Sequence, residues 1–185
     1  QRWQLTSADP AATPLGGLLC FSLDVDDAEQ LRLAQLLSEE EQARAARFRA
    51  EQHTRHFTVA HARLRQQLAD LLTADPADVR LESGEHGKPR IAGAMAGARL
   101  EFNLSHSGAL GLIGWAWGRA IGVDIEAWRP MRDEAALVKR YFSASEIAAY
   151  EQCPAHARTS AFFNCWTRKE AYVKAVGHGL TLPLH

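Results

Sequence analysis

The segment LEFNLSHSGALGLIGWAWGRAIGVDIE, residues 100–126, carries the pattern that decides the fold. Leu100, Phe102 and Leu104 alternate at the period of a half-buried strand. The runs 110–117 and 120–126 read as the two arms of a hairpin joined near Gly118-Arg119. In the second arm Ile121, Val123 and Ile125 share one face, and Asp124 and Glu126 the other. At ~3.3 Å per residue, two such carboxylates stand about 7 Å apart. They repel unless water, a cation or a basic group lies between them. A strand with one wet face has the same pattern, so this segment alone does not decide the chemistry.

Working outward, 18–25 (LLCFSLDV) reads as a first strand. Ser38 followed by Glu41 is a capping-box signature opening a helical stretch to about Ala50. A second helix is expected from about His53 to Leu72, with Phe57, Leu64, Leu68, Leu71 and Leu72 near a helical period and Asp75-Pro76 ending it. Arg80 to Ser83 reads as a short strand and 84–89 as a turn. Two more helices are expected near 133–141 and 160–176, the latter closed by Gly177 or Gly179. Ser38 precedes Phe57, and Ser143 precedes Phe163, at nearly the same distance, an echo that a duplicated α+β unit with its break near Gly118 would produce.

Composition narrows the classes. With 185 residues, 46% of them apolar, the chain can build one compact domain or two small ones packed together. A formal net charge of −1 gives no argument for nucleic acid or an anionic membrane. No apolar run approaches the roughly 18–20 residues of a membrane span, and 1–13 lacks the pattern of a signal peptide. Cys20, Cys153 and Cys165 are odd in number and far apart, which fits reduced thiols in a cytoplasmic protein and gives no zinc motif.

The last helix gives the carboxylate pair a third member. At 100° steps Phe162, Phe163, Trp166, Val173 and Gly177 form one stripe; Glu170 falls inside it and Lys174 at its edge. A carboxylate there needs a metal or a cationic partner. An i,i+4 pair with Lys174 is the simpler account, but it suits a wet face better than an aromatic one. Three carboxylates with no Cys or His at ligand spacing suit a hard cation, Mg²⁺ first and Mn²⁺ second, of the kind that also binds substrate phosphates. Phosphate contacts are expected upstream, from Lys88 in Gly87-Lys88-Pro89 and from the stretch Asn103 to Gly108, read as a strand-ending loop. No Gly-x-Ser-x-Gly elbow supports a serine hydrolase. Six arginines between Gln42 and Leu68 (Arg44, Arg47, Arg49, Arg55, Arg63, Arg65) face a single acid, Glu51, and predict a basic helix surface for phosphate or an acidic partner.

Four motifs in order, Gly-Lys-Pro at 87–89, Phe-Asn-Leu-Ser-His-Ser at 102–107, Gly-Val-Asp-Ile-Glu at 122–126 and Trp-Thr-Arg-Lys-Glu-Ala-Tyr-Val-Lys-Ala at 166–175, resemble the phosphopantetheinyl transferase superfamily. The likeness is to its longer form, named for the surfactin-synthetase activator, and runs from about Ser38 to Leu184. It implies an α+β fold: a pseudo-twofold pair of similar subdomains, each a small mostly antiparallel sheet packed with helices, here 1–118 and 119–185. It implies transfer of the phosphopantetheine arm of coenzyme A to a serine of an apo acyl or peptidyl carrier protein, with release of 3′,5′-ADP. By position, Asp124, Glu126 and Glu170 would hold Mg²⁺, and Glu170 would be the base for the carrier serine. Lys174 would stabilise the leaving group. Lys88, Pro89, Ser105 and His106 would meet the nucleotide and its phosphates, with Arg44 or Arg55 at the 3′-phosphate. A cytoplasmic monomer acting without nucleic acid or membrane is the matching expectation. The family's second subdomain continues with strands beyond Gly-Leu-Thr-Leu-Pro-Leu, so 119–185 is expected to be incomplete at its C-terminal end. Rival readings are a metal-dependent phosphoesterase and a non-catalytic coenzyme A-binding module.

Overall fold

In the computed structural model, residues 1–5, 15–84 and 87–177 are described. Gly179, the 179–184 motif, and Glu85 and His86 of the expected turn lie outside them. The elements run β1 (Arg2–Leu5), β2 (Gly16–Ser22), α1 (Asp27–Ala34), α2 (Glu39–Ala45), α3 (Glu51–Leu72), β3 (Arg80–Ser83), β4 (Pro89–Ala92), β5 (Leu100–Ser107), β6 (Leu110–Trp117), α4 (Glu134–Tyr141), α5 (Ala144–Gln152) and α6 (Ala155–Val176). An antiparallel sheet of order β1-β2-β6-β5 is joined by the two-stranded ladder β3-β4. The α+β class expected from the sequence is the class observed.

The helix α3 is the spine. Its Leu64 and Leu68 meet Phe102, Ile113 and Trp115 of β5 and β6 in one core. Phe57, Val59 and Ala60 meet Leu23, Leu33 and Leu37 from the β2–α1 and α1–α2 region in a second. Each leucine so buried contributes about 1.5–3 kcal/mol. A third cluster, Val138, Phe142, Phe162 and Phe163, packs α4 onto α6. No described helix is long and apolar enough to cross a membrane.

One expectation fails. The hairpin is β5–β6, with Leu104 opposite Ile113, while β6 also pairs with β2. Residues 120–126 belong to no strand. Periodicity was a poor guide here because an extended segment alternates its side chains whether or not its backbone joins a ladder. Two shorter differences concern ends: α6 begins at Ala155 instead of near Ser160, and α5 is a helix of its own.

The internal echo has a structural counterpart in the helices. Ser38 and Ser143 each form a complete capping box with the glutamate three residues on, Glu41 and Glu146. Each glutamate then reaches a cation on the following 22-residue helix, Arg65 at 2.6 Å and Lys169 at 2.7 Å. Both long helices end on a left-handed residue, Thr73 and Gly177. These pairs align Arg65 with Lys169, so Phe57 and Phe163, which suggested the echo, are two positions out of register. Among the described residues from 119 onward the elements are helices only.

Candidate active site

The carboxylate segment lies between β6 and α6, and two glycines make the room. A Cβ on Gly114 of β6 would lie 2.4 Å from Val123 Cγ1. A Cβ on Gly122 would lie 2.0 Å from the Ala171 carbonyl and 2.3 Å from the Ala175 nitrogen, both backbone atoms of α6. The segment's amides are taken by side chains of β5. Asn103 Oδ1 accepts from the Val123 amide at 2.8 Å, Ser105 Oγ from Ile125 at 3.4 Å and Ser107 Oγ from Ala127 at 3.0 Å. Alternation on β5 thus has two uses. Phe102 and Leu104 face the α3 cores, and Asn103, Ser105 and Ser107 hold the segment. The stretch Asn103 to Ser107 is strand, not the strand-ending loop expected from its glycine and serines.

The predicted carboxylates lie near enough for Asp124 and Glu126 to act electrostatically on Glu170. The Asp124 side chain is 4% exposed; its Oδ1 accepts from Lys174 Nζ at 2.5 Å and from Ser105 Oγ at 3.0 Å. Glu126 Oε2 accepts from Ser107 Oγ at 3.0 Å. Burial pushes the Glu170 carboxyl above its ordinary value, and the charge of Asp124 adds to this; Lys174 opposes the rise and Glu126 reinforces it. Two buried oxygens, Asp124 Oδ2 and Glu170 Oε1, have no hydrogen-bond partner. An orphaned buried carboxylate oxygen is costly, and an all-oxygen donor set suits a hard cation. Among the described residues no three of these side chains are placed so that together they could hold a metal ion.

Lys88 fastens this arrangement. Its Nζ donates to the Ile121 carbonyl at 3.0 Å and the Ala175 carbonyl at 3.4 Å, tying the segment to the last turn of α6. Burial lowers its pKa, against the pull of Glu101. The sequence placed Lys88 on a turn facing phosphate; here its ammonium is engaged by backbone. Pro89, expected beside the nucleotide, opens β4 opposite Ser83.

A cavity of about 510 Å³ opens on the other side of the end of β5, lined by Arg44, Phe48, His53, His56, His106 and Gly108 among others. His106 points there from between Ser105 and Ser107. Burial lowers its pKa, and His56, His61 and Lys174 lower it further. Arg44 lies 5.2 Å over the Phe57 ring. His53, His56 and Phe48 were not singled out in the sequence, as His106 was; the i,i+3 spacing of His53 and His56 was the available signal. Arg55 is not among the lining residues. It donates to the Val25 carbonyl at 2.8 Å and pairs with Asp27 and Glu51.

Half of the expected basic face is neutralised, at Arg55, Arg63 and Arg65. Arg63 pairs with Glu29 at 2.8 Å. Arg65 is buried, donating to Glu41 and to the Pro76 and Val79 carbonyls. The acids that pair with them lie in α1 and α2, outside the window in which charge was counted. The exposed cations Arg132, Lys139 and Arg140 lie at and before α4.

Comparison with known proteins places both halves in one family. The model described as "4'-phosphopantetheinyl transferase, N-terminal" matches residues 25–115, and that of the "4'-phosphopantetheinyl transferase superfamily" matches 120–185. The chain is 39% identical over 158 residues to the 4′-phosphopantetheinyl transferase HetI of Nostoc, covering 85% of this chain and 67% of that protein. It is 30% identical over 156 residues to the 4′-phosphopantetheinyl transferase Sfp of Bacillus subtilis, covering 84% and 67%. It is also 30% identical over 182 residues to a phosphopantetheinyl transferase of Thraustochytrium, covering 92% and 63%. The chain spans about two thirds of the length of these relatives. With four motifs in order and matches along both halves, the chain belongs to the 4′-phosphopantetheinyl transferase superfamily.

Proposed function

We propose that Asp124, Glu126 and Glu170 hold Mg²⁺ at the pyrophosphate of coenzyme A, and that Glu170 accepts the proton of a carrier-protein serine. The reaction class is the family's: transfer of phosphopantetheine from coenzyme A to a carrier protein. The observation that carries the metal assignment is the pair of buried, unpartnered oxygens, Asp124 Oδ2 and Glu170 Oε1. Mg²⁺ bound there would screen the pyrophosphate and the charge growing on the leaving oxygen. The serine Oγ forms a bond to the phosphorus carrying the pantetheine. The bridging P–O bond breaks, 3′,5′-ADP leaves, and the serine proton passes to the Glu170 carboxylate. Lys174, already against Asp124, adds positive charge for the leaving phosphate. The cavity beside His106 accommodates the nucleotide, with Arg44 toward the 3′-phosphate and Phe48 offering a ring face.

The test is the mass of an apo carrier protein after incubation with coenzyme A and Mg²⁺. The wild-type protein adds one phosphopantetheine. Asp124→Ala and Glu170→Ala lose the rate by orders of magnitude, with losses far from additive in the double variant. Near-normal transfer by either single variant at limiting Mg²⁺ refutes the assignment. Hydrolysed nucleotide with an unmodified carrier would indicate a phosphoesterase.

A further inference from the structure

We propose that His56 and His61 are further phosphate ligands of the cavity beside His106, and that they take up protons when an anionic phosphate monoester enters. Both side chains line that cavity, and both come from α3. Each is held at one ring nitrogen by a carboxylate from another part of the chain. His61 Nδ1 stands 3.0 Å from Glu41 Oε1 of α2, and His56 Nε2 stands 3.0 Å from Asp24 Oδ1, ahead of α1. The second nitrogen of each ring, His61 Nε2 and His56 Nδ1, has no hydrogen-bond partner among the described residues. His61 also stacks on Phe57 at 4.0 Å, and Arg44 lies 5.2 Å over the same ring. One aromatic side chain thus supports both an imidazole and the guanidinium assigned to the 3′-phosphate.

The carboxylates decide which nitrogen carries a proton. An ionised carboxylate only accepts hydrogen bonds, so the imidazole nitrogen facing it must donate. Glu41 is ionised throughout the neutral range: burial would raise it, but hydrogen bonds from His61, the Ser38 backbone and Arg65 bring it to about 2. In the neutral tautomer that results, the other nitrogen of His61 is a bare lone pair, which repels a phosphate oxygen. It becomes a donor only in the imidazolium, and imidazoles gain that proton between about pH 5 and 8. Surrounding charges set the balance. Asp24 and Glu41 favour the added proton. Arg44 of α2, His53 of α3 and His106 of β5 share the cavity and oppose it, as does Arg65 from behind Glu41. Burial, then His56, His61 and Lys174 of α6, depress the pKa of His106, so positive charge already crowds the empty cavity. Like charges resist protonation until an entering anion reverses the sign of the field. Binding therefore raises the imidazole pKa; affinity is greatest below the unbound value and fades as pH rises through the bound one.

This proposal rests on the nucleotide reading of the cavity, and the experiment separates the two. Coenzyme A and dephospho-coenzyme A are titrated calorimetrically without divalent metal, across the imidazole range of about pH 5 to 8, in buffers of different ionisation heat. The wild-type protein should take up protons with coenzyme A and fewer with dephospho-coenzyme A. His61→Gln and His56→Gln should each weaken coenzyme A by about 10- to 100-fold at the acid end, the effect of losing a hydrogen bond to a charged group. The loss should shrink as pH rises, and dephospho-coenzyme A should be unaffected. The ligand's own phosphate titrates near pH 6 as well. Wild type and variants share that ligand, so the difference between them reports the imidazoles. Proton uptake by the wild-type protein needs no variant, so the test survives if His56→Gln, at a buried side chain, fails to fold. Coenzyme A binding without proton uptake, or equal losses of both ligands in His61→Gln, would make the pairs mere ties between α3 and its neighbours and overturn the proposal. If Arg44→Ala abolished the preference for coenzyme A while His61→Gln kept it, the cavity reading would stand and this proposal would fall. If the wild-type protein bound both ligands alike, the cavity reading itself would fall and take the proposal with it.

Discussion

Gly122→Ala adds one methyl group at the tightest place in the molecule. Its Cβ would stand 2.0 Å from the Ala171 carbonyl oxygen, 2.3 Å from the Ala175 nitrogen and 2.9 Å from the Lys174 carbonyl carbon. All three are backbone atoms of α6, so no side-chain rotation relieves the clash. Ordinary contact begins near 3.4 Å, so the segment and helix must part by about 1.4 Å along that line. Overpacking of this kind costs about 1–3 kcal/mol. In a chain of this size that lowers Tm by roughly 2–4 °C for each kcal/mol. The catalytic loss should be larger in proportion. Asp124 lies two residues from Gly122, and its partners Glu170 and Lys174 are on the helix being pushed away. A misplacement near 1 Å can cost about 100-fold in rate. The assay is carrier mass against time, with thermal melts in parallel. Gly97→Ala is the control, since a Cβ there meets nothing within 4 Å. Wild-type Tm and transfer rate in Gly122→Ala would refute the close packing of segment against helix.

Burial by itself would raise the Glu41 carboxylate, but hydrogen bonds from His61, the Ser38 backbone and Arg65 bring it from 4.5 to about 2. A depressed folded pKa stabilises above the unfolded value and fades as pH falls through the folded one, so wild-type stability should drop between about pH 4.5 and 2 by about 3 kcal/mol from this group. Glu41→Gln, followed by denaturant melts at several pH values, should remove that portion of the drop; an unchanged acid limb would show that Glu41 is not its source. Arg44→Ala should weaken coenzyme A and leave dephospho-coenzyme A nearly unaffected, measured by competition. Equal losses for both ligands would remove Arg44 from the 3′-phosphate. Raising salt from about 50 to about 300 mM should raise the KM for an acidic carrier several-fold, and reversing Lys139 and Arg140 together should flatten that dependence. An unaltered salt curve would mean the carrier docks elsewhere or by apolar contact.

The reach of sequence reading differed by the range of the interaction. The capping box at Ser38, the helix of Leu64 and Leu68, and the aromatic stripe of Phe162 and Phe163 are set by neighbours within a few turns, and were legible. Glu170 stood out because an acid on an apolar helix face needs a reason to be there. The rest depended on partners far away in the chain. Arg65 looked like surface charge until Glu41 and two carbonyls enclosed it. Lys88 looked free until the Ile121 and Ala175 carbonyls took it up. The segment 120–126 looked like a strand because its amides are satisfied by side chains, which periodicity does not reveal.

The bonds at this centre also determine when it can exist. Lys174 meets Ser105 across 69 positions, and Lys88 meets Ala175 across 87. At translation speeds of about 5–20 residues per second, α6 follows Ser105 by roughly 3–14 s. Through that interval the carboxylate of Asp124 lacks the ammonium that neutralises it, and Gly122 lacks the helix against which it is shaped. A nascent chain can complete its first sheet and the α3 spine early. Competence for transfer cannot precede the docking of α6.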